Sequence, residues 1–362
     1  MSIITHATAL LADIEVETER TDAVQAFVKQ ETILVTISTA DGLTGTGYAY
    51  TIGTGGTSVL ALLREHLLPL LAGQDARNVE ALWQRLFAHT RATTTGALTS
   101  LALAAVDTAL WDLRCKRAGE PLWRLAGGHR REVPVYDTEG GWLHLSTEDL
   151  VKSALAAQEA QFSGVKIKVG KPHAAEDAER LRAVREAVGP GLHIMTDANQ
   201  SQSLSSAVQL AAALEPYDPY WLEEPMPADD LSGHATLARS TRIPIAVGES
   251  MYSPMQFRNY LQSGGASVIQ VDVARVGGIT PWLKVAHLAE TFNVMVCPHF
   301  LMELHVSLVA AVANGAYVEY IPQLRAVTRT EMVVRDGLAV APDEPGIGID
   351  WDLDAIDDRR VS

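Results

Sequence analysis

The chain has 362 residues, of which 47% are hydrophobic and 20% charged, and a formal net charge of −15. That length exceeds one small domain, the composition excludes a disordered chain, and acidity spread without a basic face excludes a nucleic-acid partner. Two distant cysteines in apolar segments, Cys115 and Cys297, read as reduced core thiols, and no cysteine cluster of metal-binding type exists.

The opening run, "MSIITHATALLADIEVETER", lacks a basic stretch followed by a sustained apolar core, and no apolar run reaches membrane-spanning length. A soluble, cytoplasmic protein without a membrane partner is expected. Within residues 1–50, "ATALLADIEV" and "ETILVTISTADGLTGTGYAY" read as strands, the second folded into a hairpin at Asp41-Gly42. Apolar residues at three-four spacing then mark helices in "TSVLALLREHLLPLLAG", "VEALWQRLF" and "SLALAAVDTALWDLRCKRAG", the last ending in a basic turn before Gly119. Strands followed by helices make this first block an α+β unit.

Past "LAGGHRREV", near residue 130, the rhythm changes. Short apolar strands, "VPVYDT", "VKIKV", "LHIMTDA", "YWLEEP", "IPIAVGES", "SVIQVDVA", "VMVCPHF" and "AYVEYI", alternate with helical patterns such as "AEDAERLRAVREAVG", "SLSSAVQLAAALEPY" and "GITPWLKVAHLAETFN". Such alternation implies a parallel sheet, and eight strands favour closure into a barrel over an open doubly wound sheet. From residue 322 the alternation stops, and "EMVVRDGLAVAPDEPGIGIDWD" reads as a small hairpin and a Gly/Pro-rich tail that packs back on the first unit. The boundaries therefore fall at 1–128, 129–321 and 322–362.

In "GVKIKVG" (164–170), Lys166 and Lys168 share one face of a strand whose other face is Val165, Ile167 and Val169. Lys168, Asp197, Glu223, Glu249, Asp272, His299 and Glu319 fall near successive strand ends, spaced 20–29 residues apart, about one strand, helix and loop. Barrel closure gathers them at the C-terminal mouth, where enzymes of this architecture build their sites. Any one acid there could simply cap the next helix. Three carboxylates from adjacent strands, Asp197, Glu223 and Glu249, would repel one another unless a hard divalent cation joined them; all-oxygen ligands favour Mg²⁺ over Zn²⁺, with Mn²⁺ also compatible. Burial and the Lys166 ammonium both lower the pKa of Lys168, which suits it to act as a base toward an anionic substrate. Asp272 and His299 lie on neighbouring strands, close enough for a bond that orients the imidazole. His305 and Glu303, on the following helix, read as structural. A metal with bases on both sides suits abstraction of a proton α to a carboxylate.

"VKIKVG", "DANQ", "WLEEP", "GES", "QVDVARVGGIT", "CPHF" and "VEY" occur in this order, and with them the chain resembles the mandelate racemase subgroup of the enolase superfamily over nearly its whole length. The resemblance implies an α+β capping domain, a modified TIM barrel of seven βα units plus a closing strand, and a C-terminal return to the cap. It implies Lys168, with Lys166 beside it, as one acid/base catalyst and the His299–Asp272 dyad as the other. It further implies Asp197, Glu223 and Glu249 as Mg²⁺ ligands, Asn199 on the substrate α-hydroxyl, and Glu319 hydrogen-bonded to the substrate carboxylate or enediolate. Muconate-cycloisomerase-like relatives carry a lysine on the later strand where this chain has Asp272 and His299, so the chain departs from that subgroup.

"YDTEGGWLH" (136–144), "ALWDLRCKRAG" and "PHFLMELH" are similar to galactarate/talarate-type dehydratases. "GTGYAYTIGTGG", "PLWRLAGG", "ELHVSLVAA" and "DEPGIGIDWD" are as similar to anhydrosugar-acid cycloisomerases. By the same resemblance, residues 17–30 form a lid, and their Gln25, Lys29 and acids suit a hydroxylated, even doubly acidic, substrate. "TIGTGGTS" (51–58) lacks the Lys-Ser/Thr ending of a phosphate loop and reads as a flexible cap loop facing the site. Dehydration of a sugar acid to a 2-keto-3-deoxy product is the leading expectation. Cycloisomerisation, racemisation or epimerisation of a 2-hydroxy acid, and an idle sugar-acid binder are the alternatives. The partners expected are a small acid-sugar substrate and further copies of the chain in a homo-oligomer.

Overall fold

The computed structural model describes residues 2–93 and 96–361. Three antiparallel strands, β1 (Ile4–Thr21), β2 (Ala26–Thr39) and β3 (Thr44–Thr51), open the chain. The first two run on through the lid segment as a ribbon. The Asp22 side chain closes the tip by accepting from the backbone N–H groups of Val24 and Gln25, at 2.7 and 2.8 Å, and so supplies the turn that lets strand pairing continue.

Helix Ala97–Ala118 packs across this sheet and is buried on nearly every side. At Gly47 of β3 a Cβ would lie 2.3 Å from the helix carbonyl of Ala105, so only glycine allows the two backbones to meet. The helical pattern after residue 56 is regular only over Gly56–Leu62 and continues as a π turn and a 3₁₀ turn to Leu70. Pro69 has no N–H to extend the ladder.

The barrel is built from β4 (Glu132–Asp137), β5 (Gly164–Lys168), β6 (His193–Asp197), β7 (Trp221–Glu223), β8 (Ile245–Val247), β9 (Val268–Ile269), β10 (Met295–Val296) and β11 (Val318–Tyr320). Neighbours pair in parallel from β4 to β10, and β11 returns to pair with β4. The β10/β11 seam is closed by a bridge between Val296 and Gly315, with the Ala316 N–H donating to the Val296 carbonyl at 2.9 Å. A helix follows each of the first seven strands and none follows β11 at once, so the barrel has seven βα units and a closing strand.

Tyr136, Met195, Trp221, Ala246, Val268, Cys297 and Tyr317 form a separate apolar cluster. Because side chains alternate along each strand, the residues two positions further on share that inward face, and these include Asp197, Glu223, His299 and Glu319. The plug of apolar side chains thus floors a layer of ionisable ones.

The C-terminal segment divides. β12 (Val333–Arg335) and β13 (Leu338–Val340) form the expected hairpin, but β13 pairs with Glu132–Pro134 of β4, on the barrel and not on the cap. β4 extends beyond its barrel neighbours at its N-terminal end, and that unpaired stretch takes the extra strand. Only the tail returns to the cap. The Ile347 N–H donates to Asp112 at 3.0 Å, Trp351 packs edge-on to Tyr48, and the Val361 N–H donates to the Leu11 carbonyl at 2.8 Å.

Cap and barrel are locked where Asp107 accepts from the backbone N–H and hydroxyl of Thr280, at 2.8 and 2.7 Å. Burial outweighs these bonds and pushes the Asp107 carboxyl up to about 7. An acid with a higher pKa folded than unfolded takes up a proton on folding. Its contribution is complete below the unfolded value, 3.8, and is lost as pH rises through about 7. Asp107→Asn is therefore expected to flatten the fall in unfolding free energy across that window, measured by urea titration. An unchanged slope would mean that Asp107 is ionised throughout.

Candidate active site

β5 presents Lys166 and Lys168 inward while Val165, Ile167 and Val169 join the main core, as the alternation requires. The loop after β4 lies flat against this strand. A Cβ on Gly141 would sit 1.7 Å from the Lys166 carbonyl, and the Lys168 N–H donates to the Gly141 carbonyl at 2.8 Å. This close approach puts the Trp142 ring 5.4 Å from the Lys168 ammonium. Arg180, itself paired with Asp177, donates to the Lys168 carbonyl at 2.8 Å and braces the strand end.

The two lysines differ in reach. Lys166 is caged, 2.7 Å from Glu319 and 3.1 Å from Glu223. Lys168 lines a cavity of about 150 Å³ and lies 2.5 Å from Asp197. Burial, the largest single influence, and Lys166 do push the Lys168 pKa down, as the sequence suggested, but Asp197, Glu249 and Glu223 together outweigh them and hold it above the ordinary lysine value. That is a correction to the expected net direction.

Asp197, Glu223 and Glu249 each bring a carboxylate oxygen within 4.8 Å of the others. Burial would raise Asp197, but Lys168 and Lys166 hold it below the usual carboxylate range. Burial and the charge of Asp197 push Glu223 up to about 8. One oxygen of Glu249, Oε2, is buried with no hydrogen bond, although His299 Nε2 lies 3.3 Å away. A buried trio of oxygen donors with one oxygen left over fits a hard divalent cation, which would remove the repulsion that raises Glu223.

On the far wall His299 Nδ1 lies 2.9 Å from Asp272 Oδ2, so the expected dyad is formed. Asp272 also accepts from the backbone N–H groups of Ala274 and Arg275 and from the Tyr50 hydroxyl, the last at 2.7 Å. Burial would raise the Asp272 carboxyl, yet the bond and charge of His299 bring it down to about 2. Burial lowers the imidazole, but Glu249 and Asp272 raise it above its ordinary value. β5 and β10 lie across the barrel from each other, so the lysine and the imidazole approach the cavity from opposite sides.

Glu319 accepts from Thr138, from the Phe300 N–H and from Lys166, each at 2.7 Å. Burial is outweighed by Lys166 and His299, and its carboxyl stays far below the usual range. In this state it only accepts, and can donate to a substrate carboxylate only after gaining a proton. Asn199 donates its backbone N–H to Asp197 at 2.9 Å, while its side-chain oxygen is buried without a partner at the cavity wall. Backbone strain collects beside the site: Asn199, Gln200, Glu224, Phe300 and Leu301 all have positive φ.

Of the lid residues, Gln25 lines the cavity, but Lys29 faces outward and pairs with Asp13 at 2.5 Å. Loop 51–58 contributes Ile52, and Glu31 ties it to β2 by accepting from the Gly56 N–H at 2.9 Å. Arg20, Asp22, Tyr50 and Arg275 escaped the sequence reading as site residues. Arg275 and Tyr50 stood in quoted motifs, whereas Arg20 and Asp22 look like ordinary solvated charges in "ETERTDAV". His305 is structural as expected, with Nδ1 2.8 Å from the Phe300 carbonyl and Nε2 accepting from the Val273 N–H at 3.1 Å.

Residues 8–127 match the family described as mandelate racemase/muconate lactonizing enzyme, N-terminal domain, and residues 149–355 match the enolase C-terminal domain-like family. The chain is 37% identical to a 3,6-anhydro-alpha-L-galactonate cycloisomerase from Streptomyces coelicolor, over 95% of each chain. It is 35% identical to an L-talarate/galactarate dehydratase from Salmonella typhimurium, over 87% of this chain and 79% of the relative. A crystal structure of that dehydratase, liganded with Mg and L-lyxarohydroxamate, superposes with a TM-score of 0.95 at 32% identity, covering 100% of this chain and 93% of the other.

Proposed function

Because the chain belongs to the mandelate racemase/muconate lactonizing enzyme family of the enolase superfamily, we propose that it is a Mg²⁺-dependent dehydratase of a sugar acid. The observation that carries this reading is the placement of Lys168 and the His299–Asp272 dyad around one cavity, with three converging carboxylates beside them.

Asp197, Glu223 and Glu249 would hold the cation, which when bound would supply positive charge against the negative charge that develops on the substrate carboxylate. Lys168 or His299, whichever faces the α-hydrogen, takes that proton as the C–H bond breaks. The opposite member, protonated, gives its proton to the β-oxygen as the C–O bond breaks, and water leaves. The resulting enol tautomerises to the 2-keto-3-deoxy acid. Asp272 holds the imidazole with Nε2 toward the cavity. Asn199 orients the α-hydroxyl, and Lys166 places a fixed positive charge behind the carboxylate, with Glu319 holding it there. Trp142 and the lid exclude water from the transfer.

A ring-ether oxygen at the β-carbon leaves by the same bond cleavage, so cycloisomerisation of an anhydrosugar acid shares these steps, and the 37%-identical relative favours keeping it as a second reading. Incubation with Mg²⁺ and a panel of acid sugars and anhydro acids, followed for 2-keto acid and for the mass of the product, separates the two. Dehydration removes the mass of water; ring opening preserves mass. Failure to form any keto acid, together with no α-deuterium uptake in D₂O, would defeat both readings.

A further inference from the structure

The three carboxylates at the barrel mouth are not held alike. Asp197 and Glu223 end β6 and β7 and stand opposite each other in the ladder, so sheet pairing fixes both. Glu249 has no such support. β8 ends at Val247, and at Gly248, with φ +152°, the chain leaves the sheet. Glu249 is also the most exposed of the three, at 8% against 0%, and its Oε2 takes no hydrogen bond.

We propose that Glu224 is a positioning residue that fixes Glu249 through Ser250, and thereby biases the site toward the small Mg²⁺ ion against the larger Ca²⁺. This rests on the reading of the three carboxylates as cation ligands and deepens it.

Gln200, Glu224 and Ser250 each follow one ligand within three residues, and together they close a ring. The Gln200 N–H donates to the Glu224 carbonyl at 2.7 Å, and the Gln200 side chain donates to Ser250 Oγ at 2.8 Å. Glu224 in turn accepts from the Ser250 N–H at 3.2 Å and from its hydroxyl at 3.1 Å. The oxygen of the Gln200 amide accepts from the Ala228 N–H at 2.8 Å, which fixes which end of the amide faces Ser250. The loops after β6, β7 and β8 are thus joined, and Glu249 is gripped by its neighbour Ser250 on one side and by Arg275, which donates to the Glu249 carbonyl at 3.0 Å, on the other.

Glu224 itself stands in an unfavourable place. Only 1% exposed and with φ +34°, it sets a fourth carboxyl among the charges of Glu249, Asp197 and Glu223. Arg275 acts against that repulsion, but its guanidinium is engaged with Glu249. Among the described residues the side-chain hydrogen bonds of Glu224 all come from Ser250. A buried acid on strained backbone that serves one neighbour directs attention to what that neighbour positions. Mg²⁺ demands near-octahedral ligands at about 2.0–2.1 Å, whereas Ca²⁺ accepts looser ones at about 2.3–2.6 Å, so a ligand off the sheet must be clamped if the smaller ion is to be favoured.

Calorimetric titration of Mg²⁺ and of Ca²⁺ into the intact protein tests this without turnover. Ser250→Ala, which removes both side-chain bonds of the ring, is expected to move the ratio of the two Kd values toward Ca²⁺ by about tenfold, the scale on which residues behind metal ligands act. Glu224→Ala should do the same. Glu224→Gln keeps an oxygen for the Ser250 N–H and an amide N–H for its Oγ, so it should hold the ratio within about threefold while loss of charge weakens both ions alike. If Ser250→Ala leaves the ratio at the parent value or moves it toward Mg²⁺, the proposal is overturned and the cation reading stands, whether or not Glu224→Ala folds. A shift in Glu224→Gln as large as that in Ser250→Ala would assign the effect to charge and overturn it equally. If the parent protein binds neither ion, the cation reading fails and this inference fails with it.

Discussion

Lys168→Ala is expected to lower kcat by about 10³-fold or more while divalent-cation binding persists, because a positioned acid or base contributes about 10²–10⁴-fold and no other amine can replace this one. Lys166 cannot swing into its place. It is held between Glu223 and Glu319 and is 1% exposed. The same substitution removes the cation 2.5 Å from Asp197, so the three ligand carboxylates become more negative and cation affinity should hold or increase. Single-turnover kinetics and calorimetric titration with Mg²⁺ read the two effects separately. Turnover within tenfold of the parent protein would remove Lys168 from proton transfer. Loss of cation binding would instead assign it to holding Asp197 in place.

Chelation of divalent cations is expected to abolish turnover and to lower the thermal midpoint, with both restored by Mg²⁺. The reason lies in the trio of carboxylates, whose oxygens converge within 4.8 Å on a floor of apolar side chains. Without a cation, Glu223 escapes the repulsion only by holding a proton, with a pKa of about 8. A cation that binds the folded state alone adds about 2.7 kcal/mol of stability at a hundredfold excess over its Kd. Asp197→Asn should remove most of the Mg²⁺-dependent rise in midpoint, and an equal rise in that variant would place the cation elsewhere. Chelated protein that keeps its full rate would end the metal-assisted reading.

Much of the site could be read from local pattern. Two lysines separated by one residue must share a face of a strand, and β5 shows them doing so over Val165, Ile167 and Val169 on the other side. Acids recurring at the ends of strands one βα unit apart must meet if the sheet closes, and Asp197, Glu223 and Glu249 meet. The cap's share was not legible. Tyr50 is 222 residues from Asp272 in sequence, and nothing in the alternation of "GYAYT" says that its hydroxyl will bond the dyad. The C-terminal hairpin was read correctly as a hairpin but assigned to the wrong neighbour, because its choice depended on the free N-terminal stretch of β4.

Charge behaved in the same way. The sequence showed which residues ionise, and adjacency along a strand correctly gave Lys166 the sign of its effect on Lys168. It could not rank that effect against Asp197, since a Coulomb energy depends on a distance, here 2.5 Å, that exists only after β5 and β6 pair in register. Arg20 and Asp22 make the same point in the cap. Written in a row they are two surface charges; folded, one is neutralised by Glu139 and the other is left facing the cavity. Periodicity is a short-range property and by itself determined the strands, their inward faces and which carboxylates converge at the barrel mouth. Tertiary closure decided which charges find partners, because partners come from distant segments, and with that it decided the direction in which the Lys168 pKa moves.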